Sequence, residues 1–293
     1  MTWDDLDAEL ASVPGTVSVY TGALTGRTAY VRLPDTPHYA ASTMKVAVLA
    51  ALYRAAEAGR VDLDAPVPVR NEFDSALPGA ARFSCARHYD NDEAVWDRLG
   101  GTASLRWLAE RMVVRSSNLA TNLVIGHVGL PAIAGIWADS GARHSRTSRG
   151  IEDFAARDAG LDNEVTAADL ARLFRAIARS ALAGPDASAE MLDVLFAQER
   201  REDLAAGLPP GTRIAHKNGW VRGVRHGAGL VFPDDAPPYV IAVCTTTALA
   251  DGGPTGDRPN GDGVPGDEPV DEACRLIARI SAAVWAARHR LTA

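Results

Sequence analysis

The β-forming runs of this chain lie at its two ends, and that placement limits the fold more than any other feature. Near the start, residues 16–20 and 27–33 are rich in β-branched and aromatic side chains. They flank Gly22-Ala-Leu-Thr-Gly26, a hairpin signal with glycine at both ends of its loop. The β pattern then disappears for well over a hundred residues and returns over 212–217, 223–231 and 239–247. The first and last parts must therefore share one antiparallel sheet, split by a long helical insertion. This is an α+β layout: a five-stranded antiparallel sheet flanked by helices, plus an inserted all-helical subdomain. The expected division is 1–59 with 208–293 for the sheet part and 60–207 for the helical part, with the active site between them.

Between the strands the chain reads mostly as helix. Residues 3–11 put Trp3, Leu6 and Leu10 on one stripe. An apolar helix runs from near Val46 to Gly59. Residues 61–100 carry prolines at 66, 68 and 78 and dense charge, which predicts long surface loops. From Thr102 onward Leu105, Leu108 and Met112 share a face, and a break at Arg115-Ser-Ser-Asn118 precedes a second apolar helix. Pro131 opens another. Residues 140–163 predict a long loop, Thr166 and Asp186 are read as caps of the next two helices, 250–270 as a Gly/Asp/Pro linker, and 271–289 as a final helix.

Composition excludes several classes of function. The net charge of −7 and the lack of any basic run argue against a nucleic-acid partner. No apolar run reaches the length of a membrane span. The N-terminal residues are acidic and amphipathic, the reverse of a signal peptide, so a cytoplasmic location is expected. Cys85, Cys244 and Cys274 show no metal-ligand spacing, and no metal or organic cofactor is implied. The basic residues are more telling. Of 30, only Lys45 and Lys217 are lysine; the other 28 are arginine. A desolvated lysine can act as a base near neutral pH and an arginine cannot.

Both lysines fall in short stretches that carry chemistry. In Ser42-Thr-Met-Lys45 the i, i+3 spacing places a hydroxyl and an amine on one face of a first helical turn, at the positive end of the helix dipole. Ser116-Ser-Asn118 sits between two helices. Lys217-Asn-Gly219 ends a strand, where glycine lets a substrate lie against the sheet edge. A hydroxyl nucleophile needs an adjacent base and donors for its oxyanion. Each stretch alone has a plainer reading: Ser42 as a helix cap, Ser116 and Asn118 as turn residues, Lys217 as a solvated strand end. Together, with lysine absent elsewhere, they favour chemistry.

The order, spacing and flanks of these stretches resemble the serine β-lactamase and penicillin-binding superfamily, nearest its class A β-lactamase-like branch, over roughly residues 15 to 290. The motif set is the known signature of that group. Arg115-Ser-Ser-Asn-Leu-Ala-Thr-Asn122 is similar to its second-motif helix, and Gly207-Leu-Pro-Pro-Gly-Thr-Arg-Ile-Ala-His-Lys217 to its run into the third-motif strand. The resemblance implies Ser42 as nucleophile, Lys45 as its base and Ser116 as proton shuttle to the leaving group. It implies Asn118, Lys217, Asn218, Gly219 and Trp220 as substrate-binding residues, with the backbone N–H groups of Ser42 and Trp220 as oxyanion hole.

The departures are equally specific. Ser117 stands where the family usually has aspartate, and Asn218 where it has threonine or serine. Class A enzymes hold a deacylating water with a glutamate and an asparagine four residues later. The loop Arg149-Gly-Ile-Glu-Asp-Phe-Ala-Ala-Arg157 offers Glu152 or Asp153, but Ala156 follows Glu152 at that spacing. Arg225 is a candidate for binding a substrate carboxylate, or an edge-strand charge. His216 should point to the sheet face opposite Lys217. The expected activity is a serine hydrolase cleaving an amide or ester of a small-molecule substrate, a β-lactam included, through an acyl-serine. The alternatives are an acyltransferase or transpeptidase-like enzyme using the same intermediate, and a β-lactam-binding module without turnover.

Overall fold

The computed structural model describes residues 2–251 and 270–291. Five strands form one sheet: β1 (Thr16–Ala23), β2 (Thr28–Arg32), β3 (Arg213–Val221), β4 (Val224–Phe232) and β5 (Tyr239–Thr246). Their order is β2-β1-β5-β4-β3, with every neighbouring pair antiparallel. The N-terminal hairpin thus pairs with the last strand of the chain, as the split β pattern requires. β3 is left as an edge.

Strand alternation gives the sheet two covered faces. Tyr239, Ile241 and Val243 join the N-terminal helix Trp3–Ala11 and the C-terminal helix Glu272–Ala286 in one core. Val240, Ala242 and Cys244 face the other way, into a core shared with the helical segment. At the centre of that second core is the helix Lys45–Glu57, ten of whose 13 residues are buried. The helices Ala167–Ala178 and Pro185–Phe196 lie against the sheet, so the helical segment is fused to it by continuous packing. Among the described residues no single helix is long and apolar enough to cross a membrane.

Three local readings differ from the structure. Residues 61–100 are not simply surface loops: Val69, Phe73, Cys85, Val95 and Trp96 are buried, and Phe73 pairs with Phe83 in a β-bridge. Apolar residues without period gave no signal for that burial. The 140–163 loop contains a helix, Phe154–Asp158, capped by Asp153. Gly184, not Asp186, precedes the Pro185–Phe196 helix, because proline takes the first helical position and Asp186 falls in the first turn. Most of the predicted 250–270 linker lies outside the described residues.

Candidate active site

Ser42 sits on a strained turn. His38–Tyr39 pairs with Glu164–Val165, and the Ala40 amide donates to the Asn163 carbonyl, which fixes the chain up to that point. Ala41 then adopts φ 45°, in the left-handed region that a residue with a Cβ enters only at a cost of about 1 kcal/mol or more. The bend leads into a single 3-10 turn, Ala41–Met44, and then into the Lys45–Glu57 helix. Neither the turn nor the helix is capped by a side chain, so Ser42 is not a capping residue.

Lys45 is fully buried. Its Nζ donates to the Ser116 carbonyl at 2.7 Å, to Asn118 Oδ1 at 3.0 Å and to Ser116 Oγ at 3.2 Å. The first and second motifs are thereby joined through one amine. Burial pushes the Lys45 pKa down to about 7, opposed by the nearby Asp90 and Cys85. Its place in the first turn of a helix also disfavours the ammonium form. The amine is therefore available as a base near neutral pH.

Ser116 is itself strained, with φ 62°, between the helices Leu105–Val114 and Asn118–Val128. Ser117 caps the second of these by accepting from the Ala120 amide. Asn118 reaches in two directions, with Oδ1 to Lys45 and Nδ2 to the Tyr89 carbonyl at 2.9 Å.

β3 brings the third motif alongside. A Cβ at Gly219 would lie 2.8 Å from the Ser42 amide nitrogen and 3.0 Å from that of Thr43, so only glycine lets the strand approach the nucleophile this closely. As an edge strand, β3 keeps half of its peptide groups free of β4. Lys217 is not a solvated strand end: it is fully buried and donates to its neighbour's carbonyl, that of Asn218, at 2.9 Å. Burial, then the positive charge of Lys45, holds its pKa well below the ordinary lysine value. The chain's two lysines thus share one buried space.

Other predicted residues alternate with Lys217 along the strand pair, and Asn218 Oδ1 still accepts from Lys217 Nζ at 3.3 Å. Asn218, Trp220 and Arg225 occupy the face toward the C-terminal helix, with Trp220 opposite Arg225 in register. The edge-charge reading of Arg225 is corrected, because β4 is an interior strand. Arg225 is buried, donates to Asp271 Oδ2 at 2.8 Å and lies over the Trp220 ring at 5.5 Å. An internal acid already holds the guanidinium group that was the candidate for a substrate carboxylate. His216 is buried on that same face, as alternation requires.

The loop from 149 to 157 is pinned at several points. Arg149 pairs with Asp162 at 2.9 Å, and Asn122, one helical turn after Asn118, clamps both the N–H and the C=O of Ile151 at 2.8 Å. Asp153 is fully buried and accepts from Ser75 Oγ, the Ala76 amide and the Ala156 amide. Every one of these partners is structural. Glu152 has φ 67° and turns toward residues 85–86, where Oε2 accepts from the Ala86 amide at 2.8 Å. Its Oε1 is buried without a partner, and burial raises its pKa.

Two residues at this site were not singled out from sequence: Asp90 and Asn122. Asn122 had a signal, being an amide four residues after Asn118 in a mostly apolar helix. Asp90 had none, lying in the aperiodic run His88-Tyr-Asp-Asn-Asp92.

The profile of the beta-lactamase enzyme family matches residues 2–287. The chain belongs to that family. Among solved structures it is similar to PBP-A at 22% identity and a TM-score of 0.76, covering 98% of this chain and 96% of that one. It is also similar to a beta-lactamase from Sphaerobacter thermophilus, at 24% identity and TM-score 0.72 over 98% of each chain. A third likeness is to an ancestral class A beta-lactamase, at 20% identity and TM-score 0.75 over 98% of this chain and 100% of that one. At such identities the structural likenesses establish the fold. A comparison with curated protein sequences gives no match.

Proposed function

We propose that the protein is a serine hydrolase that cleaves an amide or ester of a small-molecule substrate, a β-lactam among them, through an acyl-Ser42 intermediate. One observation carries the reading: the only two lysines of the chain are both buried and lie within electrostatic reach of each other beside Ser42. Burying two cations together is costly, and no carboxylate forms a salt bridge to either one among the described residues.

In the proposed sequence neutral Lys45 takes the Ser42 hydroxyl proton, and Oγ attacks the substrate carbonyl carbon. The Ser42 and Trp220 N–H groups receive the oxyanion. The proton passes from Lys45 through Ser116, 3.2 Å away, to the leaving nitrogen or oxygen as its bond to carbon breaks. Lys217 supplies positive charge. Water then releases the acyl group, with Glu152 as candidate base. Transfer to an amine or alcohol acceptor is a second reading, favoured by the commitment of Asp153 to structural bonds and by Ala156 at the water-holding position.

The test is intact-protein mass spectrometry with benzylpenicillin and with a fluorophosphonate, followed by peptide mapping. The expected result is one adduct, on Ser42. An adduct on Ser116 or Ser117, or no adduct with either probe, would overturn the assignment.

A further inference from the structure

The second motif is bound to an acid from elsewhere in the chain, Asp90. Ser117 occupies the position where the resemblance leads one to expect aspartate. Its hydroxyl accepts from the Ala120 amide at 3.1 Å, so its own proton is free to be donated, and Asp90 Oδ2 accepts it at 3.1 Å. The same Oδ2 accepts from the Leu119 amide at 2.8 Å. Burial raises the Asp90 pKa, while the Leu119 amide, the charge of Lys45 and the helix N-terminus favour the ionised form that takes these two donors.

The neighbouring backbone completes the grip. The Tyr89 carbonyl accepts from Asn118 Nδ2, whose partner atom Oδ1 receives Lys45 Nζ. Two steps further, buried Asp92 takes both Nε and Nη2 of Arg111 at 2.5 Å and caps the short helix Glu93–Trp96. Arg111 belongs to the helix that runs into the second motif, and its carbonyl accepts from the Ser117 amide. Residues 89–92 and the Ser116–Asn118 turn are therefore one hydrogen-bonded unit.

We propose that Asp90 is the positioning residue of the second motif. Supplied from a separate loop, its carboxylate takes the place of the acid that residue 117 lacks. It fixes the turn that presents Ser116 and Asn118, and it sets a negative charge against Lys45. Asp90 touches neither nucleophile nor amine through a hydrogen bond; it acts through Ser117, Leu119 and the electrostatic field. The charged and titratable groups that Lys45 faces are Asp90 and Cys85, which favour its protonated form, and Lys217, which opposes it. Asp90 in turn faces Lys45, Glu152 and Cys85.

The sign of the effect follows. Removing the Asp90 charge removes an attraction for the Lys45 proton, so Lys45 should deprotonate at lower pH. A purely structural loss would not move that titration in this direction.

Because the chain has two lysines, 13C-lysine labelling gives two Cε resonances, assigned with Lys45→Arg and Lys217→Arg. In Asp90→Asn the Lys45 titration is expected to fall by about one pH unit. The kinetic arm rests on the acyl-Ser42 reading. Acylation by benzylpenicillin should drop on the order of 10- to 100-fold through misplacement of Ser116 and Asn118, with its acid limb shifted the same way. Adding Ser117→Asp to Asp90→Asn should restore most of the rate. Ser117→Asp alone, which crowds two carboxylates at one helix end, should not improve on wild type. If Asp90→Asn does not fold, the double variant should; failure of both to fold overturns the proposal. So does an unmoved Lys45 titration, or a folded double variant no better than Asp90→Asn. A wild-type protein that takes no acyl group, while Lys45 still shifts in Asp90→Asn, sinks the functional reading and leaves this one standing.

Discussion

The site has two sides, and they are built differently. On the side of β3 and the Lys45–Glu57 helix, groups that have no structural need to be there converge: two buried lysines, a strained serine turn, and a glycine that only close approach explains. On the side of the 149–157 loop, Asp153 is fully engaged elsewhere and Glu152 keeps only one carboxylate oxygen free. Asp153 ties down residues 75–76 and caps a helix, and Glu152 is turned by a left-handed backbone toward the Ala86 amide. The contrast is between equipment for forming an acyl-enzyme and equipment for releasing one. It predicts a protein that acylates well and deacylates slowly.

The largest expected effect breaks the first side outright. Ser42→Ala should abolish covalent labelling and turnover, read by intact mass and substrate assay, with an unchanged circular dichroism spectrum. Retained labelling would remove the first side of the comparison altogether.

Next come the lysines. Lys45→Arg keeps charge and loses the removable proton, so acylation should fall by roughly 100-fold or more, the scale of general-base catalysis. Wild-type acylation should rise with pH through about 7, where Lys45 loses its proton, and the arginine variant should lack that rise. Lys217→Arg should lose less, because that position needs positive charge. Equal, small losses in both variants would refute the role of Lys45 as base.

The loop variants sharpen the second side. Glu152→Gln should lengthen the adduct lifetime by about tenfold at most, since one buried carboxylate oxygen is free to orient water. Asp153→Asn should leave the lifetime unchanged and lower stability by about 1–3 kcal/mol, the usual loss when a buried, multiply bonded acceptor is disrupted. Urea denaturation and adduct decay measured on the same preparations would check both. A longer lifetime for Asp153→Asn would transfer the base role to that residue.

These two sides were also unequally legible in the sequence. The split β pattern led to the sheet and its pairing, because alternation and hairpin chemistry are local. The three motifs announced their residues through spacing and through the scarcity of lysine. The loop did not yield its assignment, because the choice between Glu152 and Asp153 depends on a backbone turn at φ 67° that no residue preference signals. Asp90 lay hidden for a related reason. An aspartate in a charged, aperiodic loop reads as solvated, and only the fold brings it to Ser117 and Leu119. Arg225 was visible, but its partner Asp271 lies 46 residues away and belongs to another element.

Rapid-quench mass spectrometry of the wild-type protein with excess benzylpenicillin, run alongside hydrolysis measured on the same samples, addresses the contrast directly. The account predicts a burst of product equal to the enzyme concentration, a Ser42 adduct that accumulates to near full occupancy, and slow turnover afterwards. Rapid steady hydrolysis with no detectable adduct would contradict it, and would mean that the 149–157 loop positions water as effectively as the two lysines prepare Ser42.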